Sequence, residues 1–255
     1  MIKFFRKIRY NLMEHNKTGK YLKYAVGEIV LVVIGILIAL SINNWNQQRL
    51  DDKEEQRVLS SIIQDIELSR FLYTQGKWLS NRTLNSTTAL LEMVEGRKKG
   101  LDEDSLNYHI DRLTRRWFSS TPTSFYDALI NSGEFKLIAS YELRDELTSL
   151  KSNQEFLGIY EGIGQHFVDE QFSPYINQYI NRSQTNRKST TNGSIRNRVP
   201  EVTHKSNYAK MLNERKFTNL MVEYNEHIFN IISNYLRLEK NIAKIDSLAS
   251  ASIKN

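Results

Sequence analysis

The feature that most constrains this chain is an uninterrupted apolar run near its beginning. Residues 25–42 read AVGEIVLVVIGILIALSI, eighteen positions with one ionisable side chain, Glu28. As a helix the run is about 27 Å long, and extending it from Tyr21 to Trp45 gives enough length to cross a bilayer. The aromatic side chains at these two ends suit the interfaces with water. The sequence therefore predicts one transmembrane helix over residues 21–45.

A cleaved signal peptide is the main alternative interpretation of this run, because Ala39-Leu40-Ser41 loosely resembles a cleavage site. The apolar stretch is longer than the stretch of about 7 to 15 residues that signal peptides carry, and the basic region before it is long. We favour a helix that is retained as an anchor.

The net charge of +6 is concentrated before the apolar run, while the rest of the chain is balanced. Anionic lipid headgroups next to the anchor account for such a basic segment, which we assign to residues 1–20 and predict to lie at the membrane surface, as an interfacial helix or a solvated tail. No basic stripe is left over to follow a phosphate backbone, so the sequence argues against a nucleic-acid partner. The cations are Lys3, Arg6, Lys7, Arg9, Lys17, Lys20 and Lys23.

Orientation follows from the cations on either side of the span. Seven precede the apolar run that begins at Ala25, whereas only Arg49, Lys53 and Arg57 follow the span closely. Because cationic flanks stay in the cytoplasm, the sequence predicts a cytoplasmic N-terminus and an outer domain formed by residues 46–255.

The segment GKYLKYAVGEIVLVVIGILIALSINNWN, residues 19–46, carries a resemblance to a known family, and FYDALINSG at residues 125–133 adds a weaker match. The first 46 residues resemble the opening of a family of single-pass membrane proteins of Bacteroidetes, known only as a domain of unknown function. That family has no assigned activity to carry over. The resemblance implies a diderm bacterium, with the anchor in the inner membrane and the outer domain in the periplasm.

The outer domain is predicted to be all-α, an antiparallel helical bundle into which the transmembrane helix continues. Three prolines and eleven glycines are too few for the many turns of a sandwich or barrel. Helical patterns cover residues 47–95, 101–117, 124–132 and 140–180, with a bend expected in the last around Gly158, Gly162 and Gly164. The inner stripe of that last helix is predicted to be Leu143, Leu147, Leu150, Leu157, Tyr160, Ile163 and Phe167.

The clearest periodicity lies near the C-terminus, where apolar side chains alternate steps of four and three. Few opposed charges flank the stripe, which favours the closing helix of an intramolecular bundle over a seam between two chains. Its members are Phe217, Met221, Tyr224, Ile228, Ile231, Tyr235, Leu238, Ile242 and Ile245.

The sequence carries almost no recognisable chemistry. It has no cysteine, no phosphate-binding loop and no hydrolase or zinc-protease motif. His166, Asp169 and Glu170 share a helix face, but such a trio arises readily by chance on a charged surface, so we predict no metal, no cofactor and no catalytic residue. Residues 182–205 form a polar, low-complexity segment, read as a loop that closes a helical hairpin or, less simply, as a binding element.

Within the predicted span, Glu28, Gly35 and Ala39 lie on one stripe, and Gly35-x-x-x-Ala39 is a spacing that lets another helix approach closely. Either the helix is a solitary anchor, with Glu28 reaching the headgroups, or the stripe contacts a second copy or another membrane protein. Three function classes remain: a non-enzymatic module that senses a ligand or contacts an envelope partner, an accessory subunit of a larger inner-membrane complex, and an enzyme with an unfamiliar site.

Overall fold

The computed structural model describes residues 18–96, 102–115, 124–183 and 203–253, and every regular element among them is helical. The prediction of an all-α protein is therefore confirmed. The chain divides into two compact units after Arg57. The predicted boundary between span and outer domain, at residues 45 and 46, stays a prediction.

The helices follow one another as a few long rods joined by short elements. They are α1 (Thr18–Val94), α2 (Glu103–Leu113), α3 (Ser124–Ser132), a 3₁₀ turn (Glu134–Leu137), α4 (Tyr141–Phe167), a π-helical turn (Val168–Phe172), α5 (Ser173–Ile176), α6 (Tyr208–Leu212) and α7 (Arg215–Ser252). The predicted ends near Gly96 and Gly133 are confirmed, and both glycines have a positive φ, of 69° and 77°, which side chains disfavour.

The beginning of α1 is long and apolar enough to cross a membrane. An 18-residue window in it has a mean hydropathy of 2.7, and none of that window is buried by the rest of the protein. The structure thus leaves uncovered the run that the sequence predicts to lie in lipid.

Helix α7 supplies the centre of the folded core. All nine side chains of its predicted apolar stripe are at most 2% exposed. They pack against helices of the same chain, which confirms the prediction of an intramolecular bundle over a seam between two chains. One cluster gathers α2, the π-helical turn, α5 and α6 around the first half of α7, and the other gathers α3, α4 and residues 58–73 of α1 around its second half.

Contacts between side chains show that α7 runs antiparallel to the part of α1 after Val58. Arg70 pairs with Asp246 at 2.7 Å, and Lys77 pairs with Glu239 at 2.6 Å. Farther along α1, Thr87 contacts Asn225. Because the partner numbers fall as the α1 numbers rise, this part of the predicted antiparallel bundle is confirmed.

One expectation about α4 is wrong and one stays a prediction. The helix is α-helical through its glycines and a π-helical turn follows Phe167, while the expected bend at the glycines stays a prediction. Ile163 is 46% exposed and lies outside the inner stripe, although Leu143, Leu147, Leu150, Leu157 and Phe167 are buried as predicted. Gly164 is buried instead, and a Cβ there would lie 3.4 Å from Ile231 of α7. A methyl group there would make ordinary contact with Ile231, so Gly164 faces α7, which the apolar pattern does not reveal.

The apolar pattern of α1 fails after Gly76 because small hydroxyl side chains take over the buried face. Ser80, Thr83, Ser86 and Thr87 are at most 4% exposed. Each hydroxyl lies within hydrogen-bond distance of a backbone carbonyl three or four residues earlier, and Thr87 also contacts Asn225 of α7. The buried positions of α1 between Ser80 and Thr87 are therefore occupied by serine and threonine.

A polar network joins α4 and α7 at the side of the core. The Lys244 ammonium lies 2.7 Å from one carboxylate oxygen of Glu146, and the Asn241 amide donates to the other oxygen at 2.7 Å. The hydrogen bond from Lys244 lowers the pKa of Glu146 below its ordinary value of 4.5, against the opposing effect of burial and with help from Asn241. Ionised Glu146, on α4, accepts from both Lys244 and Asn241 of α7 and so holds the two helices together.

Replacing Gly76 tests the close contact between α1 and α7. A Cβ at this position would overlap the phenol of Tyr235, which is 2% exposed and donates to Glu161 at 2.8 Å. We expect Gly76→Ala to lower the free energy of unfolding by about 1–2 kcal/mol, because overpacking outweighs the better helix propensity of alanine. Urea unfolding of the full-length protein in detergent, followed by circular dichroism, measures the change.

Gly158→Ala is the matched control, since Gly158 also lies within a helix but no heavy atom comes within 4 Å of an added Cβ. For Gly158→Ala we expect the free energy of unfolding to rise by about 0.5–1 kcal/mol, from helix propensity alone. Equal effects of the two substitutions would contradict the contact between Gly76 and Tyr235.

The pH dependence of stability tests the network around Glu146. The pKa of Glu146 is lower in the folded protein than in the unfolded chain. Glu146 therefore contributes its full stabilisation at pH values above its unfolded-state pKa, and this stabilisation is lost as the pH falls through its folded-state pKa. Glu146→Gln should therefore reduce stability at neutral pH and have a progressively smaller effect below pH 4.5, the ordinary value. Unfolding at a series of pH values checks this, with exposed Glu170→Gln as the control. A wild-type advantage that grows on acidification would contradict the assignment.

Candidate membrane anchor and interaction surfaces

The residues predicted to pack in the membrane share one side of α1. Glu28, Gly35 and Ala39 all lie within the unbroken helix Thr18–Val94, and steps of seven and four residues keep them in line at 100° per residue. Ala39 is exposed, and a Cβ at Gly35 would meet nothing within 4 Å. Gly35 and Ala39 are accordingly open to lipid or to another helix, as far as the described residues go.

Most of the predicted membrane-surface cations lie outside the described residues, namely Lys3, Arg6, Lys7, Arg9 and Lys17. Lys20 belongs to the first turn of α1, and Lys23 is exposed on the same helix. The segment between residues 184 and 202, which contains most of the predicted loop, is also outside the described part.

No group of three or more acidic or histidine side chains that could hold a metal occurs among the described residues. His166 lies near the end of α4, whereas Asp169 and Glu170 belong to the π-helical turn, and all three are exposed. Five residues of π-helix change the angular spacing after Phe167. The shared face predicted from α-helical spacing therefore stays a prediction.

Buried tyrosines account for the large pKa shifts. Tyr73 accepts a hydrogen bond of 2.6 Å from the Gln154 amide, and burial raises its pKa to about 12. Tyr175 lies between the Met211 carbonyl at 3.1 Å and the Glu214 carboxylate at 3.3 Å, and burial, followed by the charge of Glu214, raises its pKa. Such phenols keep their protons at neutral pH, and their hydrogen bonds connect helices.

One ladder of alternating rings and cations lies on the surface between α1 and α2. The Arg82 guanidinium is 4.6 Å from the centre of the Trp78 ring and donates to the Tyr108 hydroxyl at 2.7 Å. Partial burial raises the pKa of Tyr108, but hydrogen bonds and charges from Arg82 and Arg112 outweigh it and lower that pKa below 10.0. The ladder joins the two helices across their exposed side.

An open depression of about 510 Å³ lies where the predicted loop leaves and rejoins the helices. Its lining combines amide, phenol and cationic side chains, among them Tyr179, Arg182 and Lys205. The Asn181 amide donates to the His204 carbonyl at 2.6 Å, so the two ends of the loop are held together. This contact supports the interpretation of residues 182–205 as the connection of a helical hairpin.

The outward side of α7 carries a second apolar pattern, distinct from the one in the core. Val222, Phe229 and Leu236 recur every seven residues and are 48%, 66% and 47% exposed. Seven residues return to nearly the same side of a helix, so these three form a straight line, here named the outer apolar row. A depression of about 450 Å³ lies along it, lined by Val222, Asn225, Glu226, Phe229 and Asn230.

Smaller exposed apolar sets occur on two other helices. On α4, Phe156, Ile159 and Ile163 follow one another at steps of three and four and are each at least 46% exposed. On α1, Phe71 and Trp78 are more than half exposed, one heptad apart. Sequence inspection missed these surfaces because it assigns one apolar face to each helix. A search of α7 for a second set of apolar residues spaced seven positions apart would have found the outer apolar row.

Across the part of the chain that the structure describes, these features define an all-α protein with one helix long and apolar enough to cross a membrane and with exposed apolar sets on its other helices. Residues 28–163 match the family of unknown function DUF6090, which covers more than half of the 255 residues. The chain belongs to this family. The match includes Glu28, Gly35 and Ala39 and ends at Ile163 in α4. No curated protein and no solved structure matches the chain.

Proposed function

We propose that the protein is a membrane-anchored helical module that binds a partner of the cell envelope and does not catalyse a reaction. The observation that carries the proposal is the apolar window of α1, none of which is buried by the protein. Each large apolar side chain left in water forfeits about 1.5–3 kcal/mol of burial energy, and residues 25–42 hold twelve that are at least 47% exposed, so the run requires another cover. A helix of this length matches the thickness of the hydrocarbon layer of a lipid bilayer.

The bilayer we assign is the inner membrane, with the N-terminus in the cytoplasm and residues 46–255 in the periplasm. Support comes from the excess of cations before the span and from the resemblance of the opening residues to membrane proteins of Bacteroidetes. Lys3, Arg6, Lys7 and Arg9 then face anionic headgroups on the cytoplasmic side.

Partner binding is supported by the exposed apolar sets on the folded unit. Solvent-exposed apolar side chains that are aligned along a helix are typical of docking surfaces. The pKa shifts do not suggest catalysis, because the tyrosines concerned connect helices and Glu146 pairs with Lys244. A role as accessory subunit of a larger complex is the second candidate, favoured by the separate set on α4 formed by Phe156, Ile159 and Ile163.

Reporter fusions test the topology. Alkaline phosphatase fused after Asn255 should be active, and a fluorescent protein that matures only in the cytoplasm should be dark at the same position, because the C-terminus lies outside. The intact chain should also stay in the membrane pellet after alkaline extraction, at its full mass. The same reporters joined directly after Lys23, before the apolar run, serve as cytoplasmic controls. A bright fusion after Asn255 or a cleaved chain in the soluble fraction would contradict the proposal.

Single cysteines test whether the stripe of Glu28, Gly35 and Ala39 contacts another helix. The natural chain has no cysteine, so there is no background. Under the partner hypothesis, cysteine at Gly35 or Ala39 crosslinks more efficiently in native membranes than cysteine at Ile34 or Leu37, which point elsewhere. Gly35→Leu should then abolish crosslinking through Ala39→Cys, because its bulk prevents close approach. Equal crosslinking at all four positions would instead indicate a solitary anchor.

A further inference from the structure

We infer that the ladder of rings and cations between α1 and α2 is a binding site for an oxyanion group, either a phosphate or a carboxylate. The ladder is formed by Trp78, Arg82, Tyr108 and Arg112, and all four lie in the compact unit Val58–Asn255. The inference goes beyond the proposed function because it assigns a ligand class to this unit. It does not depend on the membrane anchor, since the four residues lie outside the apolar run.

Two guanidinium groups from different helices converge on one phenol. Arg82 of α1 donates to the Tyr108 hydroxyl at 2.7 Å. Arg112 lies one turn after Tyr108 on the same side of α2, and its guanidinium carbon is 6.0 Å from the centre of the Tyr108 ring. One phenol oxygen cannot accept hydrogen bonds from all the N–H groups of two guanidinium groups. Donors therefore remain for a further acceptor.

The two cations of the ladder lack a carboxylate counter-ion. Among the described residues, neither Arg82 nor Arg112 forms a salt bridge with an acidic side chain. Arg112 is only 7% exposed, and a buried charge that is not neutralised costs free energy. The adjacent Asp111 does not serve it, because this carboxylate lies 2.6 Å from Arg115. A bound anion would supply the missing negative charge.

The surroundings add positive charge to the ladder. The segments that adjoin α2 in the sequence, residues 97–101 and 116–123, hold no acidic residue, and their cations are Arg97, Lys98, Lys99 and Arg116. Asp104 lies one turn before Tyr108, toward the beginning of α2. Partial burial raises the pKa of Tyr108, yet hydrogen bonds and charges from the two arginines lower it overall, as a positive local potential does.

Arginine is the side chain suited to a phosphate or a carboxylate. Its planar group offers parallel N–H donors that match two oxygens of one anion. The Arg82 guanidinium lies 4.6 Å from the centre of the Trp78 ring, and this stacking fixes the direction of its donors before a ligand arrives. Trp78 and Tyr108 are 55% and 46% exposed, so the ladder is accessible from solvent.

Fluorine NMR of the full-length protein in a neutral detergent tests the inference. The three tryptophans are replaced by fluorotryptophan, and Trp78→Phe assigns the signal of Trp78. Sodium phosphate or sodium acetate is titrated at constant ionic strength against sodium chloride, which keeps screening unchanged. We expect the Trp78 signal to shift and to saturate, because Arg82 over its ring is drawn to the anion. Trp45, with Arg49 at 5.8 Å from its ring centre, is the internal control for general effects on a stacked arginine.

The two arms of the titration identify the anion. Saturation with phosphate alone indicates a phosphate site, saturation with acetate alone indicates a carboxylate site, and saturation with both indicates a site for either group. If neither anion gives a saturating shift of Trp78, or if Trp45 shifts in parallel, the inference is overturned and the ladder only joins two helices.

Substitution of the arginines tests whether they hold the anion. Arg82→Gln and Arg112→Gln should each raise the apparent dissociation constant about tenfold, as expected from loss of a hydrogen bond to a charged group. Arg237→Gln, at an exposed arginine of α7, is the matched control and should leave it unchanged. Circular dichroism checks the fold of each variant, and Arg82→Gln decides alone if the buried Arg112 does not tolerate substitution. An unchanged dissociation constant in Arg82→Gln would contradict the inference.

Discussion

Burial of the inner stripe of α7 is the interaction on which the folded unit depends. The nine side chains of this stripe reach both hydrophobic clusters, so α7 is the element that the other helices share. The chain has no disulfide to replace this contact, because it has no cysteine. Substituting a central member such as Ile231 or Tyr235 would therefore disturb several helices at once.

The two apolar surfaces on α1 and α7 differ in how much of the helix circumference they cover. The beginning of α1 is apolar on all sides, which suits lipid, whereas α7 is apolar on its inner side and along a narrower outer row. Polar side chains separate the two stripes of α7 and keep them distinct. We therefore interpret the first surface as an anchor and the outer row as a place of contact between proteins.

The polar groups of the core have structural roles where the described residues show their contacts. The hydroxyls of α1 donate to its own backbone, Tyr73 and Gln154 satisfy each other, and Glu146 is held by Lys244 and Asn241. A buried polar group that lacks a partner costs stability, so these pairs fix which helices meet and in what register.

The sequence by itself determined the helical class, the apolar run and the inner stripe of α7, because each follows from periodicity and composition within one segment. It determined the ends at Gly96 and Gly133 for the same reason. Only the tertiary structure decided that Gly164 rather than Ile163 faces α7, that small hydroxyl residues fill the core after Gly76, and that Val222, Phe229 and Leu236 stay exposed. Those outcomes depend on how closely two helices approach and which side of each is already occupied, and neither is encoded in the pattern of one helix.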